Sequence, residues 1–255
     1  MTTNRENGSL YTTIDNKVAT VEFGHPAGNS FVTELLNRLA DEINKLSENK
    51  DISVIILRSE GKRAFCGGAS FEELIAISNM EEGKTFFSGF AHVINAMRTC
   101  NKVIVGRVQG KTVGGGVGLA AACDYVFASV DASIRLSELT IGIAPLVIAP
   151  AVQRKIGAAG LSELSLAPTE WQNAYWAKEK GLFAKVFDSI KEMDKEIDFF
   201  TQQLSSYNPE ALRKWKKTLW ENTEHWDKLL SERAAISGSL VLSEFTANAL
   251  SKYKK

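Results

Sequence analysis

Apolar side chains recur along this chain at two spacings. Leu35, Leu36, Leu39, Ile43 and Leu46 fall three or four residues apart, which predicts a helix over residues 31–48 with one buried face. Residues 54–57 form a short apolar run, the pattern of a strand covered on both faces, and 103–108 is read as another buried strand. Two alternating stretches, 11–14 and 18–23, predict a hairpin turning at Asp15-Asn16. Helices are predicted over 71–78 and 83–98, then a brief helix ending near Ala122 and a strand over 125–128. Strand and helix thus alternate twice, each time with a glycine-rich loop between them (GKRAFCGGAS, QGKTVGGGVG). That alternation predicts an α/β core. From about Ile190 the texture becomes charged and long-helical, with Trp215, Leu219, Trp226 and Leu229 expected as inward-facing anchors.

Composition narrows the function. The 255 residues suit one large domain, or a domain with an appendage. Thirty basic side chains balance thirty acidic ones, so no net field favours nucleic acid or an anionic membrane, and a small-molecule partner is expected. Three cysteines, Cys66, Cys100 and Cys123, without CxxC spacing, point to a reducing compartment. The opening MTTNRENGSL lacks an apolar segment, and prolines interrupt the apolar stretch TIGIAPLVIAPAV, so neither a signal peptide nor a membrane span is expected. The expected location is cytoplasmic. His25, His92 and His225 are scattered without ligand spacing, and no metal is expected.

The stretch GKTVGGGVGLAAACD, residues 110–124, admits three chemistries. A phosphate loop needs four residues between its first glycine and the Gly-Lys pair, and only three separate Gly106 from Gly110. A dinucleotide turn on Gly116, Gly118 and Ala121 should follow its strand at once and open a long crossover helix. Here residues 109–113 intervene and the helix is brief. The third reading takes Gly114, Gly115 and Gly116 as bare backbone before a small-residue helix, whose first N–H groups would stabilise a developing oxyanion. If the loop at 65–69 ends beside it, a second N–H completes an oxyanion hole.

Those two loops, AFCGGAS and QGKTVGGGVGLAAACDYVFAS, followed by SELTIGIAPLVIAPAVQRKIG, resemble the enoyl-CoA hydratase/isomerase, or crotonase, family over about residues 10–190. The wording GGGVGL and IGIAPLVI is most similar to bacterial methylglutaconyl-CoA hydratases. The resemblance implies a crotonase-type spiral of ββα units over residues 1–190, and a helical C-terminal region over 191–255 that forms trimers or paired trimers. It implies an acyl-CoA thioester substrate and no separate cofactor, coenzyme A being part of the substrate. Carried over by position, Gly67 and Gly115 would be the oxyanion donors. Ala64, Phe65, Gly68, Ala69, Ser70, Gly114 and Gly118 would line the thioester and pantetheine path, with Lys62 and Arg63 near the adenine end or merely solvated.

The chain also departs from that family. Of the two glutamates ordinary hydratases carry, the first is replaced by Gly118, which leaves space where a carboxylate would stand; the second is Glu138. Ser70 stands for the usual aspartate, and GHPAGNS is a shortened form of the family's early R-P-x-x-x-N stretch. From the residues alone Glu138 is either a capping glutamate or a desolvated acid beside apolar IGIAP; the resemblance makes it the acid/base. Asp124 is expected to cap or turn the chain, and Cys66 to pack rather than react. Hydration of an α,β-unsaturated acyl-CoA is the leading expectation. Isomerisation through one glutamate and a silent acyl-CoA-binding subunit are the alternatives.

Overall fold

A computed structural model describes residues 7–252; the first six residues of the polar opening and the last three of the helical region lie outside it. β1 (Ser9–Asp15) and β2 (Val18–Gly24) form the expected hairpin. Its turn is Asn16-Lys17, one residue later than predicted, with φ of 45° and 67°, the left-handed pair that a two-residue hairpin turn requires. α1 (Thr33–Glu48) buries all five predicted leucine and isoleucine positions.

Three strand pairs then build the core. β3 (Val54–Ser59), β5 (Val103–Val108) and β7 (Tyr125–Ser129) enter a six-stranded sheet, completed by β10 (Lys185–Phe187), in the order β1-β2-β3-β5-β7-β10. Each is followed by a three-residue strand of a second sheet: β4 (Ala64–Cys66), β6 (Lys111–Val113) and β8 (Ser133–Arg135), with β9 (Gln172–Asn173) at its edge. Sequence reading took β4 and β6 as loop, because three residues beside glycines carry no alternation to detect. After each pair comes helix or turn: α2 (Phe71–Ala76) and α3 (Met80–Thr99), then α4 (Gly115–Ala122), then a 3₁₀ turn (Glu138–Ile141) and α5 (Ala149–Leu166), followed by α6 (Ala174–Glu179). This is the expected ββα spiral.

β3 and β5 open on apolar runs because both faces of the large sheet are covered. One face meets α1 and α3 in the main core. On the other, Val54, Ile56, Val103, Val105 and Phe127 pack against Met193 and Ile197 of α7 (Ile190–Ser206). α8 (Pro209–Leu219), α9 (Trp226–Val241) and α10 (Glu244–Ser251) follow.

α8 corrects the anchor assignment by one residue of rotation. Trp215 is 60% exposed and Leu219 38%, while Lys216 and Trp220 face inward. The cause is Asp124, whose side chain is buried just after α4. Its carboxylate accepts from the Ile104 backbone N–H at 2.7 Å, from Lys216 Nζ at 2.9 Å and from Trp220 Nε1 at 2.7 Å. Asp124 is therefore structural, as expected, and it ties the C-terminal helices to the sheet. Trp226 is buried edge-on to Trp220, and Leu229 packs against the main core. α9 crosses α3 at Gly83 and Gly238, where a Cβ on Gly83 would sit 2.8 Å from the Gly238 Cα, so only glycines permit the approach.

Candidate active site

β4, β6 and β8 are parallel neighbours, so their carboxyl ends lie side by side. That end of a parallel sheet is where α/β folds collect reacting groups. Here it presents Gly67 and Gly68, then Gly114 and Gly115, then Ser137 and Glu138. The sequence expectation that the two glycine loops converge is met through the small sheet.

Gly114 has φ 55° and ψ −120°, a backbone conformation suited to glycine, and its N–H donates to the Arg135 carbonyl at 3.0 Å. That turn aims the next N–H, Gly115, out of the start of α4, where a helix has no internal acceptor for it. Gly115 N–H has no acceptor among the described residues. The Phe90 ring covers Gly115 so closely that a Cβ there would fall well inside 3.0 Å. Cys66 packs under Gly116, fully buried, and desolvation pushes its thiol up to about 12, which leaves it a packing residue.

Glu138 opens the 3₁₀ turn after β8. Its carboxylate lies over Gly114, where a Cβ would be 3.0 Å from Oε1, so glycine there makes room for the acid. The residue as a whole is half-buried, but Oε2 is fully enclosed and has no hydrogen-bond partner. Burial raises its pKa from 4.5 to about 7, in the range where a carboxyl can both take and return a proton. The cavity it faces measures about 110 Å³ and is walled by apolar side chains including Leu74, Phe86, Phe87, Phe90 and Ile143. Among the described residues Glu138 is the one ionisable group lining it.

Of the other predicted positions, Gly67, Gly68 and Ala69 line this cavity, and Gly114 and Gly115 join them. Ala64, Phe65 and Ser70 do not. The Ala64 carbonyl accepts from Asn29 Nδ2 and Gln109 Nε2, both at 2.9 Å; Phe65 is wholly in the core; the Ser70 hydroxyl caps α2. Lys62 and Arg63 are exposed in the turn before β4. Two findings correct the sequence picture more sharply. The Gly67 N–H already donates to the Gly28 carbonyl at 3.0 Å, because Asn29 folds the shortened HPAGN loop against residues 60–64. Gly118 leaves no space and does not line the cavity: it is buried under Ile148, whose Cγ2 and Cβ fill the place a side chain would take.

Sequence reasoning missed Asn29, Phe90, Ile148 and Ser237. Phe90 was legible only as a helical core position, and Ile148 only as part of an apolar loop. No group of three or more His, Cys, Asp or Glu side chains able to hold a metal occurs among the described residues, and no described helix is long and apolar enough to cross a membrane.

Residues 13–248 match the family described as enoyl-CoA hydratase/isomerase. Among curated proteins, the peroxisomal Δ3,5-Δ2,4-dienoyl-CoA isomerase of Arabidopsis thaliana is 29% identical over 194 residues, 71% of this chain and 69% of that protein. The mitochondrial methylglutaconyl-CoA hydratase of Rattus norvegicus is 30% identical over 201 residues, 77% of this chain and 63% of that protein. In fold, the crystal structure of an enoyl-CoA hydratase from Bacillus halodurans superimposes with a TM-score of 0.89 at 22% identity, covering 95% of this chain and 99% of that one.

Proposed function

The chain belongs to the enoyl-CoA hydratase/isomerase family, and from that premise we propose that it moves a double bond within an acyl-CoA thioester, converting a 3-enoyl to a 2-enoyl group through Glu138 alone. The observation that carries this reading is the solitary carboxyl. One acid faces the cavity, and the position of a second is packed solid by Ile148.

In this reaction the ionised Glu138 removes a proton from C2 of the 3-enoyl thioester. The electron pair left behind shifts into the carbonyl, and the dienolate oxygen takes the Gly115 N–H at the start of α4, where the helix dipole favours negative charge. The protonated acid then returns the proton to C4, and the double bond settles between C2 and C3. No water or co-reactant enters. Gly67 would serve as second donor by exchanging its Gly28 acceptor for the thioester oxygen, and removal of one such donor typically costs about 10²–10³ in rate.

Hydration is the second reading, favoured by the likeness to the rat methylglutaconyl-CoA hydratase. It must place water at C3, and the absence of any cation among the described residues lining the cavity argues against a substrate with a distal carboxylate. We further read the exposed Trp215 on α8 as a contact between copies in a trimer, with the cytoplasm as the expected compartment.

The test offers purified protein 3-pentenoyl-CoA, crotonyl-CoA and 3-methylglutaconyl-CoA and identifies products by mass. Gain of the conjugated thioester absorbance from the 3-enoyl substrate with no added mass supports isomerisation. Addition of the mass of water to either 2-enoyl substrate, without isomerisation, replaces it with hydration. Binding without turnover of any of the three supports the silent acyl-CoA-binding subunit.

A further inference from the structure

Ser237 is a buried serine whose hydroxyl makes no hydrogen bond among the described residues. It lies on α9, 1% exposed. A serine inside a helix ordinarily returns its hydroxyl to a carbonyl one turn back. Thr201 on α7 does so, to Ile197. Leaving a buried hydroxyl unpaired costs about 1–3 kcal/mol. Ser237 lines the same cavity as Glu138.

Its placement follows from the crossing of α9 over α3. Gly238, the next residue, is pressed against Gly83, so the helix backbones nearly touch and the hydroxyl is carried to the cavity wall. α3 then serves as a ruler. Phe90 covers Gly115 at one end of the cavity, and Gly83 lies seven residues earlier on the same helix, about 10 Å away at 1.5 Å per residue. The two contacts therefore bracket a pocket only about two helical turns long, room for a short acyl group. The cavity volume agrees: about 110 Å³ is less than the roughly 150 Å³ that accommodates one benzene.

Building on the acyl-CoA reading, we infer that Ser237 is a specificity residue that hydrogen-bonds an uncharged oxygen at the far end of a short acyl group, so that the preferred substrates are hydroxy- or oxo-bearing short-chain acyl-CoA thioesters. The oxygen is uncharged because the described residues lining the cavity include no Lys, Arg or His to balance a carboxylate, and the enclosed Glu138 would repel one.

The test uses saturated thioesters, which bind without reacting: pentanoyl-CoA, 5-hydroxypentanoyl-CoA and glutaryl-CoA, titrated calorimetrically into the full chain and into Ser237→Ala. The native protein should bind the hydroxy thioester about 3–10-fold tighter than pentanoyl-CoA, the worth of one net hydrogen bond, and glutaryl-CoA weakest. In Ser237→Ala the hydroxy-to-methyl ratio should fall to about one. Melting of the free variant should be no lower than native, because the hydroxyl has no partner to lose. An unchanged ratio in the variant, a native preference for pentanoyl-CoA or for glutaryl-CoA, or a lowered melting temperature that marks Ser237 as structural, each overturns the inference. Isomerisation of 3-pentenoyl-CoA is measured alongside. Its failure with ligand discrimination intact removes the proposed reaction and leaves the specificity residue standing; failure of every thioester to bind removes both.

Discussion

Glu138→Gln converts the buried acid into a neutral group of the same shape, and its effect on stability has a sign fixed by titration. The carboxyl titrates at about 7 in the folded protein against 4.5 ordinarily, because burial disfavours the charge. Below pH 4.5 both folded and unfolded chains carry the proton, and the group makes no demand. Between 4.5 and 7 the folded chain holds a proton that the unfolded chain has released, so stability falls as pH rises; above 7 both are ionised and the loss is complete. Its full size is about 3 kcal/mol, and about 2–3 kcal/mol of it lies between pH 5 and 8. Urea denaturation of native protein and Glu138→Gln across that range, at fixed protein concentration, isolates the term, since all other carboxylates cancel in the difference. The native protein should lose that amount relative to the variant as pH climbs. A difference that stays constant from pH 5 to 8 would refute the picture of an acid enclosed among apolar walls. The same titration sets activity: kcat/KM for a 3-enoyl-CoA should rise as pH passes about 7 and then level, and should fall by orders of magnitude in the variant.

Three further substitutions probe the frame around the acid. Gly115→Ala drives a methyl into the Phe90 ring and should lower turnover about 10²-fold or more, together with about 1–3 kcal/mol of stability, read by steady-state kinetics and denaturation. Gly118→Ala should cost a similar 1–3 kcal/mol through collision with Ile148; an undisturbed Gly118→Ala would mean that the space expected from sequence exists after all. Lys216→Ala strips the cation from buried Asp124 and should cost about 3–5 kcal/mol in denaturation.

Much of this was legible beforehand, and the exceptions share a cause. The leucine periodicity of α1 and the apolar runs of β3 and β5 report burial within a single element, so sequence displays them directly. The glycine clusters announced bare backbone correctly. What a missing side chain at Gly118 means depends on Ile148, thirty residues on and brought close only by the fold. The Gly67 donor depends in the same way on Gly28 across a loop junction. Trp215 and Leu219 looked like anchors because large apolar residues usually are, yet the pairing of Asp124 with Lys216 and Trp220 turned the helix by one position. Ser237, in SERAAISGSL, reads as an ordinary polar helix residue; only a packed crossing that leaves its hydroxyl unbonded at the cavity wall gives it meaning.

The glycine contact between α3 and α9 also has a temporal side. Gly83 leaves the ribosome 155 residues before Gly238, an interval of roughly 8–30 s at ordinary synthesis rates. Until it closes, the phenylalanines of α3 lack the cover of the last two helices, so the nascent protein carries an open greasy trough. A product cut short before α9 is therefore not a smaller catalyst but a sticky intermediate, and the cell's chaperones have most reason to hold this chain just before its last two helices emerge.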